Sequence, residues 1–509
     1  MARRFLQVVF GRRDRKKFGV LALMEEDELP YRLGARARRH SAHRRFPRQV
    51  DSLRQQFLQE GRLPFTDVLA SDTVSEAIKP IPTPWNHGIF TPLVTLGVFL
   101  GQVLSADHSC RAAVARLIAH RVAQGRPPCR SETGAYCQAR KRLPLAFFAT
   151  VARRVGRNLD AQADARWLWK GRRVHLVDGS SVAMPDTPEN RTAYPLTDNQ
   201  RPGTGFAVAR IGAIGSLSCG ALLDLGSCRY AGKGQSESGL LRQLGGLFRP
   251  GDVLVADRLL GAWTEMVLLK QRGVDTVCRL TSHRTADFRR GTRLGKDDHL
   301  VTWMKPRRPR SVAQEVYDVL PEFLLVRECR VPIVQPGFRV RSLVVATTLL
   351  DAEEYTRDDL AQLDRARWNI ELDWRSIKDV LQMDVLRCKT PELVRKEIWI
   401  HVLANNLIPT VMAQAASQNG TAPRSISVKA TLQVLEAFQP LIASQAGRGL
   451  RHREALDQEM LRAIARHRVA DRPDRFEPRM AKRRPKSYDR LRKPRREIKL
   501  DMIKRLRKI

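Results

Sequence analysis

Apolar positions along the chain change their period several times, and each change marks a boundary. From about residue 61 to 158 they recur at helical spacing. "SCRAAVARLIAHRVAQG" carries an apolar stripe, and "SETGAYCQARKRLP" opens on a Ser/Glu cap signal and ends in a basic cluster. The uncharged run "GIFTPLVTLGVFLGQVL", residues 88–104, is short for a membrane span and holds Pro92, so it reads as a buried core helix starting near that proline. From about 165 the runs become shorter and Gly-punctuated. "RRVHLVDGSSVAM" reads as a strand ending in a turn, and "FAVARIGAIGSLSCGALLDLG" as two adjacent buried strands. "SESGLLRQLGGLF" is a helix with a Ser cap, "GDVLVADRLLGAW" a buried strand ending in an acid, "TEMVLLKQRG" a helix stopped by Gly273, and "VDTVCRL" a further strand.

This alternation predicts an α/β core over 165–280. Residues 281–350 interrupt it with basic, Gly/Pro-rich sequence and strand patterns in "EFLLVRECRVPI" and "FRVRSLVVATTLL", a β-rich insertion. The helical period returns at 351–390 in "TRDDLAQLDRARWNIELDWRSIKDVLQM" and continues in apolar helices over 391–445. Both ends are rich in Arg and Lys. Residues 1–60 read as a disordered basic segment, 446–509 as a basic tail, and 61–158 as a helical DNA-binding domain.

Composition narrows the partner. Lys plus Arg number 90 against 53 acids, a formal charge of +37 over 509 residues, which points to a polyanion and above all to nucleic acid. The eight cysteines include no CxxC pair and no zinc spacing, so they read as reduced thiols of a cytoplasmic protein. No secretory signal and no membrane span are expected. "YAGKGQSESG" is not a phosphate-binding P-loop, because Ser227 stands where the first glycine is needed and Gly234 follows Lys233. "GTGFAVARIG" lacks the dinucleotide-binding spacing.

The acids carry more. Asp178 closes "VHLV" and Asp257 closes "DVLVA". An acid at the carboxyl end of a central strand faces the crevice where α/β folds place ligands, although either one alone could simply cap a turn. In "RARWNIELDWRSIK", Glu371 lies about 40° and Lys378 about 20° from Arg367 around a regular helix, so the three would share one stripe. By itself that stripe is an ordinary i,i+4 ion pair on a solvated face.

Taken in order, these stretches resemble the insertion sequence 4 family of bacterial DDE transposases. The family signature runs Tyr, two spacers, Arg, three spacers, Glu, six spacers, Lys; Arg367, Glu371 and Lys378 match it. "LVDGSSVAMPDTPEN" resembles the first-aspartate motif and "DVLVADRLLGAW" the second, with 79 residues between the aspartates and 114 more to Glu371. The likeness covers roughly residues 60–500. It implies a ribonuclease-H-like catalytic core, a mixed sheet flanked by helices, completed by the helix of 351–390. Asp178, Asp257 and Glu371 would be catalytic and would hold Mg²⁺, for which Mn²⁺ can substitute. Arg367 and Lys378 would hold DNA phosphates, and Trp303 would offer a platform for a flipped base, with packing in the insertion as the alternative. The substrates implied are double-stranded element ends and target DNA, handled by a dimer in a synaptic complex within the bacterial nucleoid. A DNA-binding descendant without activity, or another nuclease of the same fold, stays open. The chain departs from the pattern at one place: the tyrosine position is Asp364. An aspartate touching DNA there would repel it.

Overall fold

The computed structural model describes residues 71–506 apart from 80, 82–87, 106, 124, 197–202, 231, 233–236, 259, 334–340, 445–449 and 470–490. The expected basic segment 1–60 lies outside these residues, as does the Ser cap at 236.

Five helices come first: α1 (Ser71–Ile78), α2 (Pro92–Val103), α3 (Cys110–Ala123), α4 (Gly134–Arg142) and α5 (Leu145–Ala161). The run read as a core helix is α2. Thr91 caps it, Pro92 opens it, and nearly every side chain is buried. Among the described residues no helix is long and apolar enough to cross a membrane. The Ser131/Glu132 cap signal is not used, because α4 begins one residue after Thr133, which makes no side-chain cap bond.

The sheet follows: β1 (Val174–Met184), α6 (Pro188–Ala193), β2 (Ala207–Ser216), β3 (Leu222–Arg229), α7 (Glu237–Leu244), β4 (Val253–Ala256), α8 (Trp263–Lys270) and β5 (Asp275–Arg279). β1, β2 and β3 form an antiparallel meander, while β4 and β5 add in parallel on the other side of β1. The order 3-2-1-4-5, with helices on its faces, is the ribonuclease-H-like arrangement expected from the sequence.

The region 281–350 holds β6 (Thr292–Gly295), β7 (Asp298–Met304), α9 (Gln314–Asp318), β8 (Phe323–Pro332) and β9 (Ser342–Thr347). Its strands do not make a separate sheet. β9 pairs antiparallel with β5, so the sheet continues to nine strands, β3-β2-β1-β4-β5-β9-β8-β7-β6. Further along the sheet, β8 is tied to β7 by Arg327, whose fork reaches Asp298 at 2.6 and 2.9 Å with both side chains buried.

The chain then runs through α10 (Arg357–Ala366), α11 (Trp368–Arg375), a single π-helical turn (Ser376–Val380), α12 (Pro391–Gln418), α13 (Val428–Ser444), α14 (Leu450–Arg466) and α15 (Arg495–Leu506). A full capping box between Thr356 and Asp359 starts α10. α12 is buried on nearly every side, with Asn406 bonding the backbone of α5 and β3. The region read as a basic tail contains α14, whose Met460, Leu461, Ile464 and Ala465 are buried, so its first part belongs to the packed body.

Candidate active site

β1 does not end at Asp178. It runs on through Gly179, Ser180 and Ser181 to Met184, paired throughout with β2, and Asp178 sits opposite Ala213. What ends there is the parallel partner on its other side. β4 pairs through Val174–Val253, His175–Leu254 and Leu176–Val255, then stops at Ala256. The same register carried two residues further sets Asp257 opposite Asp178. β4 and β5 pair through Ala256–Cys278, so one further step sets Arg279 opposite Asp257. Side chains alternate across a strand and adjacent strands lie about 5 Å apart, so Asp178, Asp257 and Arg279 form a row on one face. The two aspartates also border a narrow cleft with space of about 10 Å³, on the order of one water, which lies toward the opposite face, among Val177, Gly212, Leu240 and Leu244.

The face of that row is the one α11 covers. Gly215, opposite Leu176, meets α11 so closely that an added Cβ would lie 2.7 Å from Cδ1 of Ile370. Glu371 therefore comes from the helix packed on the aspartates' own face. It does not join them as a ready ligand: Arg367 donates from Nη1 to its Oε1 at 2.9 Å. Among the described residues, no group of three or more His, Cys, Asp or Glu is gathered to hold a metal ion. The two opposed aspartates suit a hard divalent cation, since both present oxygen ligands.

The residues read as phosphate contacts are placed differently from the stripe. Arg367 is buried, its guanidinium lies 5.2 Å from the Trp368 ring centre, and its Nε has no hydrogen-bond partner. Lys378 falls in the π turn, closed by the Leu381 N–H on the Ser376 carbonyl, and this wider turn takes it off the regular helical stripe. Burial pulls its ammonium below the ordinary value, against the opposing charges of Asp384, Asp178 and Asp379. Lys378 thus stands in the field of Asp384, Asp178 and Asp379.

Trp303 is corrected. It is 2% exposed, its indole N–H donates to Glu328 at 2.8 Å, and Arg284 lies 4.1 Å over its ring. It packs the insertion and leaves no face for a base. Trp374 is buried, whereas Trp368 is 43% exposed.

Asp364 is not a DNA-facing acid. It is 6% exposed and accepts both arms of Arg279, Nε at 2.8 Å and Nη2 at 2.8 Å. The hydrogen bond to Asp364 holds the Arg279 charge above its ordinary value against burial, and Glu371 and Asp257 add to it. A second fork fastens the other side of α11. Arg424 grips Asp373 at 2.7 and 2.9 Å while also donating to the carbonyls of Ser216 and Leu217 in the β2–β3 turn. Sequence reading missed both arginines. They lie 85 and 51 residues from their acids, and no local pattern links them.

The sheet order and the paired aspartates define a ribonuclease-H-like core with acids at its centre. Residues 169–407 match the family model described as the transposase DDE domain. The transposase InsG for insertion sequence element IS4 of Escherichia coli (strain K12) is 26% identical over 336 residues, 63% of this chain and 70% of that protein. The transposase for insertion sequence element IS421 of Escherichia coli is 38% identical over 69 residues, 14% of this chain and 19% of that protein. A solved piggyBac transposase synaptic complex with hairpin DNA aligns over 81% of this chain and 85% of that one, at 11% identity and a TM-score of 0.38, too loose to carry any residue across. Through its sheet and the helices that follow, the chain is similar to the DDE transposases of insertion sequence 4 type.

Proposed function

We propose that this transposase nicks DNA at the terminal inverted repeats of its own element and joins the freed 3′-OH ends to target DNA, a cut-and-paste reaction dependent on Mg²⁺. The observation that carries this is the register that sets Asp178 opposite Asp257 on the sheet face covered by α11. Asp178 and Asp257 would be the firmest metal ligands, and Glu371 would complete the set once it leaves Arg367. Two bound divalent ions supply activation of the attacking oxygen and stabilisation of the leaving one. The chain's own side chains do the positioning. Lys378, in the field of Asp384 and Asp178, holds a DNA phosphate beside the aspartates, and Arg367, released by Glu371, turns its guanidinium to another. Water as nucleophile gives the nick, and the 3′-OH in its place gives the joined product. Two subunits hold the two ends together, with the helical region before β1 reading the end sequence.

The test uses the full chain and duplexes carrying the inverted repeats that flank its gene. Nicking in Mg²⁺ should appear with the native protein and fall about a thousandfold, or ~4 kcal/mol of barrier, in Asp178→Asn and Asp257→Asn. End binding should stay within about twofold, since neither acid holds phosphate. Binding without nicking by the native chain would instead favour a DNA-binding descendant. Nicking of any duplex regardless of end sequence would favour a nuclease.

A further inference from the structure

We infer that Arg279 and Asp364 form a positioning pair that sets the Glu371 helix against the Asp178–Asp257 row, in place of the tyrosine the family pattern has at position 364. The inference rests on the function proposed above and concerns Arg279, which the pattern does not include, and the one position where the chain departs from it. Its first support is placement. Arg279 is the last residue of β5, and the β4–β5 register puts it beside Asp257 on the face that bears the aspartates. Asp364 lies in the last turn of α10 and Glu371 in the first turn of α11, joined through Arg367, whose helical dihedrals (φ −52°, ψ −35°) lead one helix into the next, so a fork at Asp364 fixes where α11 starts. Arg279 is therefore the side chain that stands between the strand row and the helix stripe.

Its second support is geometry. A guanidinium bonded through two nitrogens to both oxygens of one carboxylate fixes direction as well as distance, which a single contact does not. Asp364 is buried, so this fork is shielded from the solvent that would loosen a surface pair. One turn further along, Arg367 holds Glu371 by a single bond from Nη1. Asp364, Arg367 and Glu371 thus follow one another from α10 into α11, beside the strand ends that carry Asp257 and Arg279. An aspartate at 364 without Arg279 would add a further negative charge to a site that already gathers carboxylates. With Arg279 it adds none and ties the helix down.

The experiment compares the native chain with Asp364→Asn, Arg279→Gln and the double variant. Three quantities are read: Mg²⁺-dependent nicking of end duplex, affinity for the same duplex in EDTA, and Mn²⁺ affinity by electron paramagnetic resonance. Hydrogen exchange over residues 368–380 is followed in parallel. Each single variant should nick about 10- to 100-fold more slowly, the loss expected from displacing a reacting group by a fraction of an ångström to one ångström. Mn²⁺ affinity should drop and exchange over 368–380 should rise in each, with duplex affinity within about twofold. The double variant should be no worse than the worse single, because both remove the same contact. Unchanged Mn²⁺ affinity and exchange, or additive losses, would overturn the pair. A parallel fall in duplex affinity would also overturn it, making Arg279 a phosphate contact. Should the native chain not nick, the proposed function fails, while Mn²⁺ affinity and exchange still decide the pair.

Discussion

Cutting the second fork gives a local stability change that can be worked from the contacts. In Asp373→Ala, Arg424 loses both carboxylate bonds, 2.7 and 2.9 Å, but keeps the carbonyls of Ser216 and Leu217 at 2.8 and 3.1 Å. The side chains of Arg424 and Asp373 are 20% and 12% exposed, so solvent replaces little of what is lost. Removing one partner of a buried pair costs about 3–5 kcal/mol. The two remaining acceptors and the partial exposure reduce that to about 2–3 kcal/mol. The loss falls on the contact between α11 and the β2–β3 turn, so it should appear as local opening before global unfolding. Amide exchange over 368–375 should then quicken by about 30- to 150-fold, with β7 and β8 unaffected. Exchange over 368–375 within about twofold of native would mean that α11 is held by its apolar face alone, and the role given to Arg424 would be refuted.

The remaining predictions follow from other contacts. Gly215→Ala should cost about 1–3 kcal/mol by driving a Cβ against Ile370, and Ile370→Val, which deletes the clashing Cδ1, should recover part of it in the double variant; thermal melts of the four proteins check this. Lys378→Ala should weaken end-duplex binding and reduce the slope of log affinity against log salt by about one, measured by anisotropy between low and moderate salt. Trp303→Phe should lower stability by about 1–3 kcal/mol through the buried Oε1 of Glu328 it leaves without its donor, while Oε2 keeps His299, yet leave the nicking rate of the folded protein unchanged; a rate loss without a stability loss would restore Trp303 to the DNA.

The sequence exposed the elements better than it exposed their joints. The alternation after residue 165 predicts β1 to β5 and their order-defining acids because buried strands and capped helices leave local periods. The length of β1 was not legible. Gly179, Ser180 and Ser181 look like a turn, and only β2, paired residue by residue through Met184, keeps them extended. The insertion read as separate because its basic, Gly-rich lead hides β6 and β7; the antiparallel join of β5 to β9 is a long-range pairing with no local signature. The stripe of Arg367, Glu371 and Lys378 was computed for a regular helix, and the π turn at Ser376–Val380 breaks it at its last member. Trp303 was ambiguous in sequence because a tryptophan amid basic residues fits both DNA and a small core; Glu328 and Arg284 decide it.

The pH response of the second fork separates its two members. Burial raises the Asp373 carboxyl above its ordinary value even with Arg424 beside it. A raised folded value means that the folded chain holds this proton more tightly than the unfolded one. The stability gained is complete below the ordinary carboxylate range and is lost as pH rises through the folded value. Replacing Arg424 by Met removes the charge that opposes this rise. The folded value should climb further, and the loss of stability on going from acid to neutral pH should become steeper than in the native chain. Asp373→Asn should flatten that response, since the titrating group is gone. Melting temperatures of the three proteins from pH 4 to 7 measure both slopes. A native-like slope in Arg424→Met would mean that Asp373 reaches solvent when its partner is removed. The fork would then guide α11 without isolating it from water.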